Sequence, residues 1–294
     1  MKFKEASYYK KLPDKKVRCM LCPHNCILDN GEYGKCKVKM NILGSLKAMN
    51  YSKVHTVKNE EIEDIPMFHF LPKSKVMSVG LAGENLDYTF DRNEFHGREF
   101  KDIPSFMQNP NKLIKQAKDS DVKIISYKYS EPGMFYEYVK DVSKKSPELK
   151  HIIETNGYIE IEPAKELAKY IHGVVFNIRS MNENFYEKVL NGKLDPILRT
   201  IEIFHNSNVW VEIKMPLVPK IHENMYDVRK LVAWILNNLD ANVPLHFTFS
   251  KDYIRDDNLL IKARKVAKDA GMNYVYAHPN TENTITFCPN CQKP

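Results

Sequence analysis

The first of seven short apolar runs spans residues 75–83 and reads KVMSVGLAG. The other six cover residues 122–130, 151–157, 173–180, 208–218, 244–250 and 272–278. Each run is rich in Val, Ile, Tyr or Phe and is bounded by polar, Gly or Pro residues, which is typical of a buried β-strand. The sequence therefore predicts a β-sheet between residues 73 and 280.

Amphipathic segments with helical spacing lie between these runs. In residues 225–239 the apolar positions form one stripe: Met225, Val228, Leu231, Val232, Trp234, Ile235 and Leu239. Residues 258–270 show the same spacing. Strands that alternate with helices in this way predict a parallel sheet. Because no Rossmann or P-loop glycine pattern follows any run, we predict a partial β/α barrel with its site at the carboxyl ends of the strands.

The composition is that of an ordinary globular protein. The chain has 294 residues, of which 43% are hydrophobic and 28% charged, and a formal net charge of +7. These values exclude a mainly disordered or collagen-like chain. No apolar run approaches the ~20 residues that cross a bilayer, and the N-terminus lacks a signal-peptide pattern. We expect a soluble, cytoplasmic protein without a membrane partner, and no nucleic-acid partner, since no aromatic and basic platform is present.

Six cysteines lie near the two ends of the chain: Cys19, Cys22, Cys26, Cys36, Cys288 and Cys291. In a reducing compartment, Cys-x-x-Cys spacings predict metal ligands rather than disulfides. One arrangement is a zinc site of Cys19, Cys22, Cys288 and Cys291 that fastens the termini together. The other is an iron–sulfur cluster on the four N-terminal cysteines. The spacing alone does not distinguish the two arrangements.

Several stretches together resemble one protein family. They are RCMLCPHNC at 18–26, GEYGKC at 31–36, YKYSEP at 127–132, TNGY at 155–158, VWVE at 209–212, VPLHF at 243–247 and CPNC at 288–291. This set is similar to the radical SAM enzymes related to pyruvate formate-lyase activating enzyme, specifically the type encoded beside AMMECR and Memo proteins. The resemblance runs over nearly the whole chain.

The resemblance implies a mixed α/β fold with three regions. Residues 73–280 would form a partial (β/α)6-type radical SAM barrel. Residues 1–72 would be a cysteine-rich region, and residues 281–294 a Cys-x-x-Cys knuckle that packs on it. The two ends together would then form a metal-binding appendage that carries zinc or a four-iron, four-sulfur cluster.

One departure from the family pattern bears on catalysis. Family members carry Cys-x3-Cys-x2-Cys after the first strand, and those thiolates hold the cluster that reduces S-adenosylmethionine. The corresponding residues here are Glu84, Tyr88 and Asp91. Carboxylates and a phenol are hard oxygen ligands that suit Mg, Ca or Mn rather than an iron–sulfur cluster. We therefore expect that this chain has lost the catalytic cluster and does not start a 5′-deoxyadenosyl radical.

The resemblance also implies a binding site for S-adenosylmethionine. Its residues would be Ser130, Glu131, Pro132, Asn177, Arg179 and His246. Asn177 replaces a family carboxylate with an amide, whereas Arg179 keeps a cation that pairs with carboxylates. Without the open iron of a cluster the methionine group loses its principal anchor, so retained binding is expected to be weak.

Three functions are compatible with these features. The first is a metal-binding scaffold or regulatory partner of an active enzyme of the same pathway, and the missing thiolates favour it. The second is an enzyme of non-radical chemistry that uses S-adenosylmethionine or a divalent metal at Glu84 and Asp91. The third is an electron carrier that uses an N-terminal iron–sulfur cluster.

Overall fold

The computed structural model describes residues 3–88, 98, 100–250, 253, 256–278, 286–291 and 293. The β-strands are β1 Lys4–Glu5, β2 Tyr9–Lys11, β3 Val17–Cys19, β4 Ile27–Leu28, β5 Lys39–Ile42, β6 Ser45–Ala48, β7 Lys53–Glu61, β8 Lys75–Leu81, β9 Phe106–Met107, β10 Ile124–Tyr127, β11 Lys150–Thr155, β12 Gly173–Asn177, β13 Trp210–Leu217, β14 Leu245–Phe249 and β15 Val275–Ala277. The α-helices are α1 Pro110–Asp119, α2 Tyr136–Lys145, α3 Ile161–Ala168, α4 Glu183–Lys188, α5 Asp195–His205, α6 Tyr226–Asn238 and α7 Asp257–Asp269.

In the part of the chain that the structure describes, a sheet of nine strands forms the centre of the fold, in the order β15-β14-β13-β12-β11-β10-β8-β7-β9. Seven of these strands are parallel. Six of them lie within apolar runs, and β11 begins one residue before its run. Helices α6 and α7 cover the two predicted amphipathic stripes. The predicted parallel sheet is therefore confirmed, as an open sheet with β15 and β9 at its edges.

Strand β7 is the main element of the sheet that the sequence does not predict. It pairs antiparallel with both β8 and β9. Because β7 lies within the region predicted to be separate from the barrel, the sheet begins before residue 73. The predicted division of the chain at residue 72 stays a prediction.

The two faces of the sheet differ in polarity because successive side chains of a strand point to opposite sides. One face carries Val79, Ile125 and Phe176, which belong to the main apolar core beneath the helices. The other, which we call the inner face, begins with a small apolar layer that includes Val76 and Ile124. Towards the carboxyl ends of the strands, the inner face becomes polar.

The N-terminal region forms two small antiparallel sheets, β1-β6-β5 and β2-β3-β4. A buried ion pair between Lys39 of β5 and Glu137 of α2 joins the first of them to the central fold. Glu137 also accepts a hydrogen bond from the Ser7 backbone N–H at 2.8 Å. The N-terminal region is thus fixed to the helical layer beside the sheet.

The C-terminal segment is described at residues 286–291 and 293. Thr286 Oγ1 lies 2.7 Å from the Tyr276 hydroxyl of β15. The packing of residues 281–294 on the N-terminal region stays a prediction. None of the helices in the described part of the chain is long and apolar enough to span a membrane.

Candidate functional site

We call the four loops that follow β8, β10, β11 and β12 the mouth. Tyr88, in the loop after β8, fills the space between that loop and the loops after β11 and β12. Its side chain is 7% exposed. Asn156 Nδ2 donates a hydrogen bond to the Tyr88 hydroxyl at 2.7 Å. The Arg179 guanidinium carbon lies 4.5 Å from the ring centroid, which is a cation–π contact. Burial raises the pKa of Tyr88 well above its ordinary value, so the phenol is neutral.

Two asparagines connect the loops of the mouth to one another. Asn156 Nδ2 also donates to Asn85 Oδ1 at 2.9 Å, and Asn85 Nδ2 donates to the Tyr158 carbonyl at 2.7 Å. The His24 ring nitrogen Nε2 lies 2.6 Å from the Asn85 carbonyl oxygen. These contacts join the loops after β8 and β11 to the N-terminal region. The sequence does not identify Asn85 or Asn156 as site residues.

Glu131 connects the loops after β10 and β11. Its carboxylate accepts hydrogen bonds from Thr155 Oγ1 at 2.6 Å and from the backbone N–H groups of Asn156 and Gly133, each at 2.9 Å. Burial raises the pKa of Glu131, and these donors act in the opposite direction. Its neighbour Ser130 donates from its hydroxyl to the Leu81 carbonyl, and Pro132 starts a buried 3-10 turn. The Glu131 carboxylate therefore holds the loops after β10 and β11 together at the mouth.

The residues predicted to bind S-adenosylmethionine lie at three places. Glu131 and Arg179 lie at the mouth, where both act electrostatically on Tyr88. Asn177 Nδ2 instead donates to Glu154 Oε1 at 2.9 Å, on the inner face of the sheet. His246 lies on β14, where its Nε2 is 2.6 Å from Glu212 Oε2. The structure thus shows polar groups of the predicted site already bonded to protein partners.

A chain of alternating charges occupies the polar part of the inner face. Glu154 of β11 forms an ion pair with Lys214 of β13, and Lys128 Nζ lies 3.9 Å from Glu154 and 3.2 Å from Glu60. The Tyr129 hydroxyl donates to Glu60 at 3.2 Å. Burial alone would raise the pKa of Glu154, but the charges of Lys214 and Lys128 outweigh it and hold the pKa at about 2.

Near these alternating charges, two buried polar atoms lack a hydrogen-bond partner among the described residues. They are Ser126 Oγ and Asn177 Oδ1. Both residues lie on the inner face, on β10 and β12. Buried polar atoms in proteins are usually bonded to a protein group or to ordered water, so these two are the atoms that bound water would satisfy.

A histidine cluster lies on the inner face near β15. Glu212 is fully buried and accepts hydrogen bonds from the backbone N–H groups of Phe68 and His69, at 3.0 and 2.9 Å. His246 Nδ1 lies 3.1 Å from His278 Nε2. Burial lowers the pKa of His278 to about 3, with His246 adding to the effect. His278 is thus neutral near pH 7. Both ring nitrogens of His246 lie within hydrogen-bond distance of protein groups, Glu212 and His278.

The four N-terminal cysteines lie near one another. Cys19, Cys22 and Cys36 are buried, and Cys26 is half-buried. A Cβ placed on Gly34 would be 3.8 Å from the sulfurs of both Cys26 and Cys36, so these two sulfurs are at most twice that distance apart. The other three thiols each contribute to raising the pKa of Cys22, and Cys36 and Cys26 contribute to raising that of Cys19.

Backbone N–H groups point at three of these sulfurs. Burial raises the pKa of the Cys19 thiol to about 12, and the Leu21 N–H acts against it. Burial also raises the pKa values of Cys22 and Cys36, against the N–H groups of His24 and Val38 respectively. Hydrogen bonds of this kind tune the sulfurs of iron–sulfur centres. In the described part of the chain, no three His, Cys, Asp or Glu side chains converge closely enough to hold a metal ion.

The C-terminal pair has a different setting. Cys291 is exposed and Cys288 is half-buried. Backbone N–H groups of Cys291 and Asn290 lower the pKa of Cys288. The C-terminal pair thus has a setting unlike that of the four N-terminal cysteines, and the choice between the zinc and the iron–sulfur arrangement stays a prediction.

An open cleft lies at the mouth beside the N-terminal region. Its lining includes Glu84, Asp87, Lys35, Arg98 and Ser130. Asp91, the third position that corresponds to a cluster ligand, lies outside the described residues, and with it half of the predicted divalent-metal site at Glu84 and Asp91. The described lining contains charges of both signs.

Known proteins resemble this chain in sequence and in fold. No protein-family model matches it. The uncharacterized protein MJ0808 of Methanocaldococcus jannaschii is 35% identical over 303 residues, which cover 98% of this chain and 89% of MJ0808. Streptococcus suis SuiB is 16% identical with a TM-score of 0.50, over 70% of this chain and 51% of SuiB. A domain of pyruvate-formate lyase-activating enzyme from Bacteroides vulgatus gives a TM-score of 0.44 at 11% identity, over 50% of this chain and 91% of that domain.

The match to SuiB supports the radical SAM-like fold that the sequence predicts. It concerns the fold alone, and the chain spans about half the length of SuiB. The predicted link to proteins encoded beside AMMECR and Memo stays a prediction.

Proposed function

The chain belongs to the family of the uncharacterized Methanocaldococcus jannaschii protein MJ0808, and from its fold and its mouth we propose that it is a non-catalytic relative of radical SAM enzymes. In this proposal it works in the cytoplasm as a metal-binding scaffold or regulatory partner of another enzyme. The observation that carries the proposal is Tyr88. It fills the mouth at a position that corresponds to a cluster-binding thiolate of the radical SAM enzymes.

The residues at the mouth do not fit a catalytic iron–sulfur cluster. Such a cluster needs thiolates, whereas Glu84 and Tyr88 offer oxygen atoms and Asp91 adds no sulfur. The Tyr88 ring is also packed against Arg179 and bonded to Asn156. The methionine end of S-adenosylmethionine would meet a Glu131 carboxylate that already accepts three hydrogen bonds. We therefore derive no radical step for this chain.

Anaerobic reconstitution with iron, sulfide and reductant is expected to give no 5′-deoxyadenosine from S-adenosylmethionine. The physical reason is the absence of thiolates at residues 84, 88 and 91. Calorimetry with S-adenosylmethionine is expected to show weak binding or none. A triple Cys variant at these three positions tests whether the thiolates are what is missing. Formation of 5′-deoxyadenosine by the unmodified chain, and its loss on Tyr88→Phe, would contradict the proposal.

A second candidate function, electron transfer, is favoured by the surroundings of the N-terminal cysteines. Three of the four thiols are buried, and backbone N–H groups point at their sulfurs. Lys39 adds a positive charge that lowers the pKa values of Cys19 and Cys36, against the larger effect of burial. Because burial has the larger effect and raises the pKa values of all three buried thiols, a bound metal would have to drive their deprotonation.

Metal analysis of three variants separates the arrangements of ligands. If the four N-terminal cysteines share one centre, Cys36→Ser is expected to lower the metal content to near zero, because a cluster or ion needs its full set of ligands. The double variant Cys288→Ser/Cys291→Ser should keep the metal. Cys22→Ser loses it in either arrangement and shows that the assay detects loss.

The opposite pattern, with metal retained in Cys36→Ser and lost in the C-terminal double variant, would mean a zinc clasp between the termini. The element found assigns the role of the centre. One equivalent of zinc supports the scaffold, and iron with acid-labile sulfide supports the electron carrier.

A further inference from the structure

The two C-terminal cysteines lie on one turn at the surface of the protein. Cys291 is the only one of the six cysteines that is exposed, and Cys288 is half-buried. Residues 289–291 form the turn, which is closed by a hydrogen bond of 2.8 Å from the Cys288 backbone N–H to the Lys293 carbonyl. Both thiols are therefore held within reach of a molecule in solution.

The two thiols also contact each other. The Cys288 side chain shares a hydrogen bond with the Cys291 side chain. Its sulfur accepts two further hydrogen bonds, from the backbone N–H groups of Asn290 and Cys291. The turn thus brings together two sulfurs that a single bond could join, without a change in the position of the surrounding elements.

The turn has a defined position beside the central sheet. Thr286 Oγ1 lies 2.7 Å from the Tyr276 hydroxyl of β15, and the same hydroxyl lies 2.5 Å from His69 Nε2. One residue, Phe287, separates Thr286 from Cys288, and its side chain is 36% exposed. The pair of thiols is therefore fixed next to β15, with an apolar side chain beside it that a protein partner can contact.

A pair of thiols supplies half of the ligands that a structural metal site needs. Zinc in such sites takes four ligands, and an iron–sulfur cluster takes four thiolates. Among the described residues, no group of three His, Cys, Asp or Glu side chains could hold a metal ion. Two adjacent thiols have another chemistry of their own, the reversible formation of a disulfide. In reducing compartments such disulfides are usually transient and act in catalysis or redox sensing.

We propose that Cys288 and Cys291 form a redox-active dithiol that reduces disulfides of partner molecules. The inference goes beyond the scaffold function proposed above and does not depend on it. One thiol of the pair attacks the partner disulfide, which gives a mixed disulfide and releases one partner thiol. The second thiol attacks the mixed disulfide, releases the other partner thiol and leaves a Cys288–Cys291 disulfide. The pair loses two electrons and two protons, and the two partner sulfurs gain them.

The first test uses the reduced full chain as purified, with oxidised glutathione as the probe and mass spectrometry of peptides as the readout. In the unmodified chain, the peptide with Cys288 and Cys291 is expected to lose two hydrogens and to keep no glutathione. Cys288→Ser and Cys291→Ser should each keep one glutathione on the remaining thiol, because the second step is missing. Both substitutions lie on a surface turn outside the helices and strands.

The second test compares the two sources of a disulfide, a small molecule and a protein, by following the reduction of oxidised glutathione and of insulin. Faster reduction of insulin identifies a protein partner, and faster reduction of glutathione a small one. With either probe, Cys291→Ser is expected to lower the rate about tenfold or more. Its matched control, Cys26→Ser, removes a half-buried thiol elsewhere and should change the rate less than about twofold.

Four results would overturn the dithiol. They are a mixed disulfide that persists on the unmodified chain, oxidation of the buried Cys19 and Cys36 as fast as that of the C-terminal pair, an equal loss of rate in Cys26→Ser and Cys291→Ser, and bound zinc that is lost on replacing Cys288 and Cys291. None of these results changes the expected absence of 5′-deoxyadenosine formation, so the dithiol and the proposed function fail separately.

Discussion

Glu137→Gln is expected to lower the free energy of unfolding by about 3–5 kcal/mol. Glu137 and Lys39 form an ion pair in which the side chains are 2% and 1% exposed. Removing the negative charge leaves the Lys39 ammonium buried without its counter-charge. The cost of desolvating the ammonium is then no longer offset, and the folded state becomes less stable. Denaturant unfolding followed by circular dichroism measures the change.

A paired replacement serves as the control. Lys39→Met/Glu137→Leu removes both charges, so it should recover most of the stability that the single variant loses. A loss below about 1 kcal/mol in Glu137→Gln would contradict the prediction. Because Lys39 also lowers the pKa values of Cys19 and Cys36 against the effect of burial, the double variant should bind metal more weakly even where it is stable.

The second large effect is a dependence of stability on pH at Glu154. The pKa of Glu154 is about 2 in the folded chain, and its ordinary value is 4.5. A carboxylate whose pKa is lowered by folding stabilises the folded state at pH values above its unfolded-state pKa. This stabilisation is lost as the pH falls through its folded-state pKa. The shift corresponds to about 3 kcal/mol, present at pH 7 and lost between about pH 4.5 and pH 2.

The measurement compares the unmodified chain with Glu154→Gln at several pH values. The variant should be less stable at pH 7, because Lys128 and Lys214 lose their shared carboxylate. The difference should shrink as the pH falls below 4.5. Glu162→Gln, at an exposed ion pair with Lys165, should show a small difference throughout. A difference at Glu154 that stays constant from pH 7 to pH 3 would disprove the assignment.

The parallel strands are predictable from the sequence because each is an almost continuous apolar run. β12, for example, reads GVVFN and is buried over its first four residues. β7 reads KVHTVKNEE and is mostly half-buried or exposed, so its period-2 signal is weak. Its Glu60 faces polar groups across the sheet rather than an apolar core. A strand at the side of an otherwise parallel sheet lacks the apolar pattern on which prediction depends.

The candidate site was predictable in part. The cysteine motifs and the residues at the ends of β10 and β12 can be identified from the sequence. The contacts between Tyr88, Asn85, Asn156 and Arg179 cannot, because they join loops distant in sequence. The charged residues of the inner face can be recognised in the sequence, because Glu154 and Lys214 each interrupt an apolar strand. A charge in the middle of a buried strand needs a partner, so each of these residues predicts another nearby.

The edges of the nine-stranded sheet have a consequence for self-association. β9 contributes two residues at one edge, and β15 contributes three at the other. Exposed backbone at a sheet edge acts as a template on which strands of other chains add, and short edge strands offer little of it. Within the described residues, these two short strands therefore leave little edge backbone on which a strand of another molecule could pair.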